Sequence, residues 1–462
     1  MDDDSEKNPT RRRYLATSSA LAATTLAGCN GIGGEDDDDE ETDTDTVTTD
    51  DTETDADDDG IGDDIGIDDP EPSGPVELLH GWSAGDGKAA FDAMLEGFEA
   101  AHDVETNAKA IGGSANTSLD TRISQRIKND NPPGAWAEWP GANLEQFTND
   151  DVLDDIEDDV WTDEVKDAYS DGARAAAKVD GDFVCVPTDV HRINNLFYNE
   201  SLVADAGVDP ASIDGPTALV DAFERVESET DAIGFAHSLK GQWTTLQLFA
   251  TVFIGQHGID AYQRFVNGNG SKAEVETSLE AIVDYSDHMP EDANSISFQK
   301  AGTMVSKGKA AFMHQGDWLA GMFQGRGFEF GRGWGHVPFP GTDGVYQLNM
   351  DAWVSPSDSE TPIATRRWLR YLTTKDAQVR FNQYKGAIPP RTDVSTDEFP
   401  PFQTKQMEAY RASESQPPSL AHGLAVPPQQ RSSLKSALSS KFDFTSRSVD
   451  ETATAFVDAL SD

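Results

Sequence analysis

Aromatic residues beside turns are the first side chains of this chain whose chemistry suggests a binding site. Trp82, Trp139 and Trp243 stand at loop-like positions next to turn residues. Rings in such places can pack against the apolar faces of a ligand, while charged and amide groups bond its polar rim. Trp82 follows a predicted strand, which favours a site, whereas Trp136 and Trp353 have apolar neighbours that favour the core.

Charged side chains at the ends of apolar runs form the second group of candidates. Asp317, Asp351 and Lys385 each follow such a run, and His422 lies between two apolar segments. Residue types alone leave two interpretations open. In the first, the three charged side chains are solvated and the histidine is partly buried with its hydrogen bonds satisfied. In the second, all four side chains are contacts at the rim of a cleft. Glu138, placed between two tryptophans, is a further candidate for the same rim.

The elements that must position these side chains alternate between strands and helices. Residues 76–80 read as a short buried strand, and Phe91, Met94 and Phe98 mark one face of the helix that follows. Residues 183–186 and 196–198 read as further strands. This alternation predicts an α/β architecture with mainly parallel sheets. The body is too long for one core, so we expect two lobes with a cleft between them.

The charge of the chain is strongly negative. Its 84 acidic residues outnumber the 35 basic ones and give a formal net charge of −49. Such a surface repels nucleic acid and is typical of a protein adapted to brine, where the Debye length falls to about 3 Å. An acidic surface that binds a partner is the alternative. The chain has two cysteines, Cys29 and Cys185, which exclude a disulfide framework unless they pair with each other. Cys185 lies in an apolar strand and is predicted to be a core residue.

The N-terminus carries two consecutive signals. Residues 10–15 contain three arginines followed by Tyr14 and Leu15, and they resemble the twin-arginine export signal. Residues 26–29 end in Gly28-Cys29 and resemble a lipobox, whose cysteine becomes the lipid attachment site. The apolar run between them is shorter than the ~20 residues of a membrane-spanning helix. We therefore predict a cleaved signal over residues 1–29, with the chain lipid-anchored to the membrane at Cys29 on the outer face of the cell.

Residues 30–75 are predicted to be a disordered acidic linker. From residue 35 to residue 71 there are 21 acidic residues and no basic ones, so the segment cannot bury apolar surface. Its alternating acidic residues followed by glycine are a calcium-site candidate, formed by Asp55, Asp57, Asp59 and Asp63. Gly66 stands where a calcium loop would place its last carboxylate. We expect a spacer here, and no bound metal or other cofactor.

Several ordered segments resemble the extracellular solute-binding family 1, which serves carbohydrate ABC importers, and most of all its glucose- and mannose-binding branch. The matching motifs, in chain order, are His80-Gly-Trp82, Asp130-Asn-Pro132-Pro133, the crossover 186–199, Gly316-Asp317-Trp318, 337–341, Asn349-Met-Asp351, 385–391 and 421–426. Together they span nearly everything after residue 76. The chain departs from the branch at Gly81, near Gly87, at Ala137 and at Trp139.

The resemblance implies a two-lobed periplasmic-binding-protein-like fold of type II, as in maltose-binding protein. It places residues 76–191 and 303–350 in lobe 1, and residues 192–302 and 351–462 in lobe 2. It implies a sugar, such as glucose, mannose or a related saccharide, bound by hinge closure and delivered to an ABC permease with a separate ATPase. His191, with Arg192, either contacts the ligand or orders the crossover. The implied ligand-binding residues are Trp82, Ser83, Asp86, Glu138, Trp139, His191, Trp243, Asp317, Asp351, Lys385 and His422.

Three other classes of function remain to be weighed against this expectation. A secreted glycoside hydrolase would use a pair of carboxylates, which an acidic chain always offers. A metal-dependent enzyme is disfavoured because the nine histidines show no His-x-x-x-His spacing and there is no Cys-x-x-Cys pair. A calcium-dependent adhesin would rest on the acidic linker alone. The sequence therefore favours a binding protein over an enzyme.

Overall fold

A computed structural model describes residues 72–83, 85–112, 117–150 and 152–461 of the chain. The described part contains strands that form two main sheets and two short two-stranded sheets. The strands are β1 (Val76–His80), β2 (Thr106–Ala110), β3 (Ala135–Glu138), β4 (Lys178–Val179), β5 (Asp182–Phe183), β6 (Cys185–Pro187), β7 (His191–Arg192), β8 (Asn195–Asn199), β9 (Ile233–Phe235), β10 (Ala310–Gln315), β11 (Trp334–Pro338), β12 (Leu348–Asn349) and β13 (Ala352–Val354).

Helices cover both main sheets. They are α1 (Gly85–Ala101), α2 (Thr117–Ile127), α3 (Glu157–Val160), α4 (Asp163–Ala168), α5 (Asp171–Ala176), α6 (Glu200–Asp205), α7 (Leu219–Glu229), α8 (Gln242–Arg264), α9 (Lys272–Ser286), α10 (Phe298–Ser306), α11 (Trp318–Gln324), α12 (Pro362–Leu372), α13 (Lys375–Lys385), α14 (Pro401–Ala412), α15 (Pro428–Lys441) and α16 (Ser446–Ser461). Short 3₁₀ or π-helical turns occupy Gly141–Asp150, Pro210–Ser212, Pro216–Ala218 and Phe265–Asn269.

The first lobe is built on a five-stranded sheet in the order β2-β1-β3-β13-β6. β1 pairs in parallel with β2 and β3, whereas β13 runs antiparallel to β3 and β6. Its core contains fully buried residues from distant parts of the chain, such as Leu78, Phe98, Trp136, Trp353 and Trp368. Burial of these large side chains stabilises the lobe and fixes the ends of β1 and β3.

The second lobe is built on a four-stranded sheet in the order β11-β8-β10-β9. β10 pairs in parallel with β9 and antiparallel with β8, and β11 also runs antiparallel to β8. A separate core of this lobe includes Phe223, Phe249, Phe312, Leu434 and Phe456. The helices α8, α15 and α16 therefore belong to this lobe.

The chain crosses between the lobes at a short antiparallel ribbon. β7 and β12 pair Arg192 with Leu348 and His191 with Asn349. A third crossing segment runs beside them, because the Leu348 amide donates to the Pro417 carbonyl at 3.0 Å. Such a narrow connection between two cores is a natural hinge.

The predicted two-lobed α/β fold is confirmed, but its division of the chain is wrong in two segments. Residues 303–350, assigned to lobe 1, contain β10 and β11, which pair with β8 in the second sheet. The range 351–462, assigned to lobe 2, begins with β13, which pairs with β3 and β6 in the first sheet. The error arises because antiparallel strands that return from far along the chain leave no local sequence signal. These returning strands also make both sheets mixed.

Most local predictions agree with the structure. The strands at 76–80 and 196–198 and the helix with Phe91, Met94 and Phe98 are present. The apolar run 183–186 contains parts of two strands, because Val184 lies outside any strand and separates β5 from β6. Cys185 is fully buried, as predicted.

Some predictions lie outside the described residues. These are the export signal, the lipid attachment site at Cys29, most of the acidic linker, the calcium candidates, and the side chain of Asp86. Within the described residues, no helix is both long enough and apolar enough to cross a lipid bilayer.

Gly386 makes the closest backbone approach between α13 and α11. It ends α13 in the left-handed region at φ 75°, and a Cβ there would lie 3.3 Å from the Gly321 backbone. We expect Gly386→Ala to lower the free energy of unfolding by about 1–2 kcal/mol, because a left-handed residue with a Cβ is strained. Gly321→Ala is the matched control, since its Cβ would make ordinary contact at 3.8 Å. Equal denaturant midpoints for the two variants would contradict this explanation.

Candidate functional site

Charged side chains converge where the hinge meets the cleft. His191 on β7 bonds through Nδ1 to Asp317, which lies just before α11 of the second lobe. The other oxygen of Asp317 accepts the Arg192 amide at 2.9 Å. On the first-lobe side, the Lys385 ammonium lies 3.1 Å from His191 Nε2 and 3.0 Å from an Asp351 oxygen. The cluster therefore ties the ribbon to both lobes.

Asp189 completes this cluster. One of its oxygens accepts the Asp351 amide at 2.6 Å, and the other lies 3.4 Å from His191 Nε2 and 3.6 Å from Lys385 Nζ. Asp189 and Asp317 have no exposed surface, while Asp351 and Lys385 are 7% and 8% exposed. Buried charges persist only when they are paired in this way.

The protonation of the cluster follows from its geometry. Burial and the Lys385 ammonium disfavour a charged His191, but Asp317 and Asp189 outweigh them and raise its pKa to about 9. Burial also disfavours ionisation of Asp189, yet His191 and Lys385 prevail and lower its pKa. For Asp317 and Asp351 burial dominates and raises the pKa. A cationic His191 is thus held between carboxylates at neutral pH.

The same side chains have the composition of a small cation site. Asp189, His191 and Asp351 offer ligand atoms that lie within 4.8 Å of one another. Lys385 Nζ approaches an atom of each, at 3.0 to 3.6 Å. The ammonium thus supplies the positive charge that the carboxylates need, and the arrangement fits a lysine-centred ion cluster rather than a metal centre.

A second cluster consists of aromatic rings beside the first. Trp318 opens α11, and its ring centre lies 5.1 Å from His191, 5.5 Å from His422 and 6.3 Å from Trp243. His422 also meets Trp243 at 5.9 Å and Trp139 of the first lobe at 5.4 Å. The rings thus bridge the two lobes, and Trp318 and Trp243 remain partly exposed.

A cleft of about 860 Å³ opens between the lobes beside these clusters. The first lobe contributes Trp82, Ser83 and Lys385 to its lining, and the second contributes Trp318 and Arg326. Trp82 is partly exposed and lies 5.9 Å from the Lys385 ammonium. The volume falls within the ~300–1,000 Å³ typical of small-molecule sites. Aromatic faces from both lobes and a buried cation give this cleft the character of a binding site.

Glycines let the rings lie flat against the backbone. A Cβ on Gly87 would come 2.7 Å from the Trp82 ring, and one on Gly241 would come 3.0 Å from the ring of Trp243. Both rings therefore rest on backbone that no larger residue could supply without displacing them. The ring of Trp82, which lines the cleft, thus packs against the first turn of α1.

The structure brings most of the predicted site residues together. They fall into the ion cluster, with His191, Asp317, Asp351 and Lys385; the ring cluster, with Trp139, Trp243 and His422; and the cleft lining, with Trp82, Ser83 and Lys385. Asp317 has both oxygens bonded to protein groups and no exposed surface, which favours a supporting role. Glu138, predicted at the rim of the cleft, is instead buried at 2% exposure, and it accepts a hydrogen bond from the Trp139 amide. Direct ligand contact by each residue stays a prediction.

Sequence reasoning missed two members of the site. Trp318 follows Gly316-Asp317 directly at the start of a helix, and this position after a buried strand was the available signal. Asp189 lies two residues before His191, so alternation along an extended segment places both on one face. Apart from this alternation, only the residue types, an acid close to a histidine, indicated that Asp189 and His191 belong to one cluster.

The raised pKa of His191 predicts a pH dependence of stability. A raised histidine pKa stabilises the fold fully below the unfolded-state pKa, about 6.5, and this stabilisation is lost as the pH rises through about 9. We expect the free energy of unfolding, measured with denaturant in high salt, to fall between about pH 7 and pH 9. His191→Gln should show a flatter profile over this interval, and a profile unchanged by the substitution would refute the assignment.

Comparisons with known proteins agree with this geometry. Residues 93–409 match the family model described as bacterial extracellular solute-binding protein. A xylose/arabinose-binding protein of Haloferax volcanii, XacG, is 42% identical over 100% of this chain and 99% of its own. An uncharacterized ABC transporter extracellular-binding protein of Pyrococcus horikoshii is 30% identical over 83% of this chain and 87% of its own.

A solved structure shares the fold at lower identity. The bacterial solute receptor AcbH, described as preferring β-D-galactopyranose, superposes with a TM-score of 0.73 at 18% identity, covering 83% of this chain and 98% of its own. The family match spans more than half of the chain and includes strands of both lobes. The chain therefore belongs to the bacterial extracellular solute-binding protein family, whose members are substrate receptors of ABC transporters and not enzymes.

Proposed function

We propose that this protein captures a pentose, xylose or arabinose, in the cleft between its lobes and delivers it to an ABC permease. The observation that carries the proposal is the cleft lined by Trp82, Trp318 and Lys385 in a sugar-binding ABC receptor. The choice of pentose over the glucose or mannose expected from sequence rests on the name of the 42% identical relative.

The cleft chemistry supports a neutral, hydroxyl-rich ligand. Trp82 and Trp318 present rings that suit the apolar faces of a sugar. Arg326 and Lys385 are the charged residues among the described cleft-lining residues, which include no carboxylate. The Lys385 charge is already balanced by Asp351 at 3.0 Å. A neutral sugar can accept hydrogen bonds from both cations without needing a charge of its own.

The binding cycle follows from the hinge. In the unliganded protein the lobes rotate about the ribbon of β7 and β12. A sugar that contacts Trp82 on one lobe and Trp318 on the other stabilises the closed form, because only that form offers both contacts. The closed form then docks on the permease, and the sugar is released there without any covalent step.

The N-terminal signals complete the proposal. Export through the twin-arginine route would carry the chain across the membrane already folded, and the lipid on Cys29 would hold it on the outer face. The acidic residues 35–71 would space the folded body from the membrane, and the net charge of −49 suits a salt-rich exterior. The haloarchaeal relative supports this setting. The permease and its ATPase would be separate subunits.

Calorimetric titration in high-salt buffer tests the proposal. Xylose, arabinose, glucose, mannose and galactose would each be added to the purified protein, with tryptophan fluorescence as a second readout. We expect saturable one-site binding of a pentose without turnover. Tighter binding of a hexose would overturn the pentose assignment. If the protein unfolds cooperatively, and is therefore folded, but binds none of these sugars, sugar capture is overturned.

A further inference from the structure

A group of buried and half-buried charges lies close to Trp139, where the two lobes meet. Glu138 on β3 and Asp120 on α2 belong to the first lobe, and Arg431 and Lys435 on α15 belong to the second. Glu138 and Arg431 are only 2% and 9% exposed. These charges lie outside the ion cluster at the hinge, so they require their own explanation.

Contacts connect this group to the rings of the cleft. The Arg431 guanidinium lies 5.1 Å from the centre of the Trp139 ring, and Trp139 in turn meets His422 at 5.4 Å. One oxygen of Glu138 accepts the Trp139 amide and the Asn143 side chain, each at 2.9 Å. Arg431 of one lobe therefore contacts the Trp139 indole, and Glu138 of the other lobe holds the Trp139 backbone amide.

Three atoms of the group lack partners. Glu138 Oε2, Asp120 Oδ1 and Arg431 Nη1 are buried, and none has a hydrogen-bonding partner among the described residues. Unpaired buried polar atoms are rare in native structures and each is costly. Here two carboxyl oxygens lie on one lobe and a guanidinium nitrogen on the other. Rotation of the lobes about the hinge changes the separation between the Arg431 guanidinium and these carboxyl groups.

We infer that Arg431 is a positioning residue that pairs with Glu138 and Asp120 when the lobes close on a ligand. The inference rests on the proposed sugar-binding function. Pairing would satisfy the three buried atoms and favour the closed form. It would also hold the Trp139 indole against His422, so that lobe closure also fixes the position of this ring.

The charge state of the group makes the pairing measurable. Burial and the neighbouring Asp120 raise the pKa of Glu138 to about 8, and burial raises that of Asp120 to about 6. Burial and Arg431 lower the pKa of Lys435 to about 8. Burial and the neighbouring cations Arg431 and Lys435 hold the pKa of His422 well below its usual value. Burial and the nearby Glu138 raise the pKa of the Cys185 thiol. At neutral pH the group therefore holds a proton on Glu138.

Closure should release that proton. A guanidinium in contact with Glu138 lowers the pKa of its carboxyl group, so the acid ionises and its proton passes to the solvent. By linkage, a ligand that favours the ionised form binds more tightly as the pH rises through the carboxyl pKa values of the open form. We expect sugar affinity to increase between about pH 6 and pH 8.

Calorimetry of xylose and arabinose binding in two buffers of different protonation enthalpy tests the inference on the full chain. The wild type should release protons at neutral pH. Glu138→Gln should abolish the release. Arg431→Gln should weaken binding roughly tenfold to a hundredfold, with partial rescue in Arg431→Lys. Arg447→Gln, on the exposed face of α16, is the control and should behave as wild type.

The outcomes separate the inference from the function on which it rests. The role of Arg431 would be overturned if the wild type bound sugar normally without releasing protons and if Arg431→Lys and Arg431→Gln had equal affinity. Sugar capture would remain intact in that case. A folded wild type that binds none of the sugars would overturn both. Comparison of the unfolding midpoints of the Arg431 variants with that of Arg447→Gln distinguishes lost binding from lost folding.

Discussion

Replacing Asp317 by alanine is expected to lower the free energy of unfolding by about 3–5 kcal/mol, the cost of removing one partner from a buried ion pair. The substitution leaves a cationic His191 without its Nδ1 partner and the Arg192 amide without an acceptor. Because these contacts join the ribbon to α11, sugar binding should be lost together with stability. Denaturant unfolding in high salt, followed by titration of the folded fraction, measures both effects.

Asp317→Asn serves as the matched variant. The amide keeps the size of the side chain and can still accept the Arg192 amide, but it carries no charge to stabilise the His191 cation. We expect an intermediate loss of stability and a lower pKa of His191 in nuclear magnetic resonance titrations. If both substitutions left stability and the His191 pKa unchanged, the ion cluster would not organise the hinge.

Trp318→Ala is expected to lower the affinity for the sugar strongly at little cost in stability. Its ring is partly exposed in the cleft and contacts both His191 and His422, so it lies where a ligand would stack. Removal of an aromatic anchor typically costs about 2 kcal/mol or more, which corresponds to roughly thirtyfold in affinity. The unfolding midpoint should change little, because the ring is not part of a lobe core.

Trp334→Ala provides the contrast for this experiment. Trp334 is fully buried in the second lobe against Phe197 and Phe402, so its removal should cost about 3–5 kcal/mol of stability. Affinity in the fraction that folds should be close to that of the wild type. Equal affinity in Trp318→Ala and the wild type would mean that the sugar lies elsewhere.

Local context in the sequence indicated several of the residues that the structure places in the cleft lining or in the core. Trp82 and Trp243 are recognisable because turn residues adjoin them, whereas Lys385 is indicated by the resemblance of its segment to the solute-binding family. Trp136 and Trp353 were correctly separated from them as core residues, since apolar neighbours predict burial. Residue type and immediate context thus indicate candidate residues, and their contact with a ligand stays a prediction.

Long-range pairing is what the sequence could not provide. β10 and β13 exchange lobes relative to the predicted division because their partners, β8 and β3, lie far away in the chain. Arg431 looks like an ordinary helical surface residue in sequence, yet it packs against Trp139 of the other lobe. Tertiary contacts of this kind depend on the whole fold, and no periodicity encodes them.

A crystal structure of the protein with bound xylose tests the central claim most directly. We predict that the sugar occupies the cleft between the lobes, with its ring against Trp82 or Trp318 and its hydroxyls within hydrogen-bonding distance of Lys385 or His422. We also predict a smaller angle between the lobes than in the unliganded crystal. A sugar bound outside this cleft, or lobes that keep the same angle with the sugar in place, would contradict capture by closure.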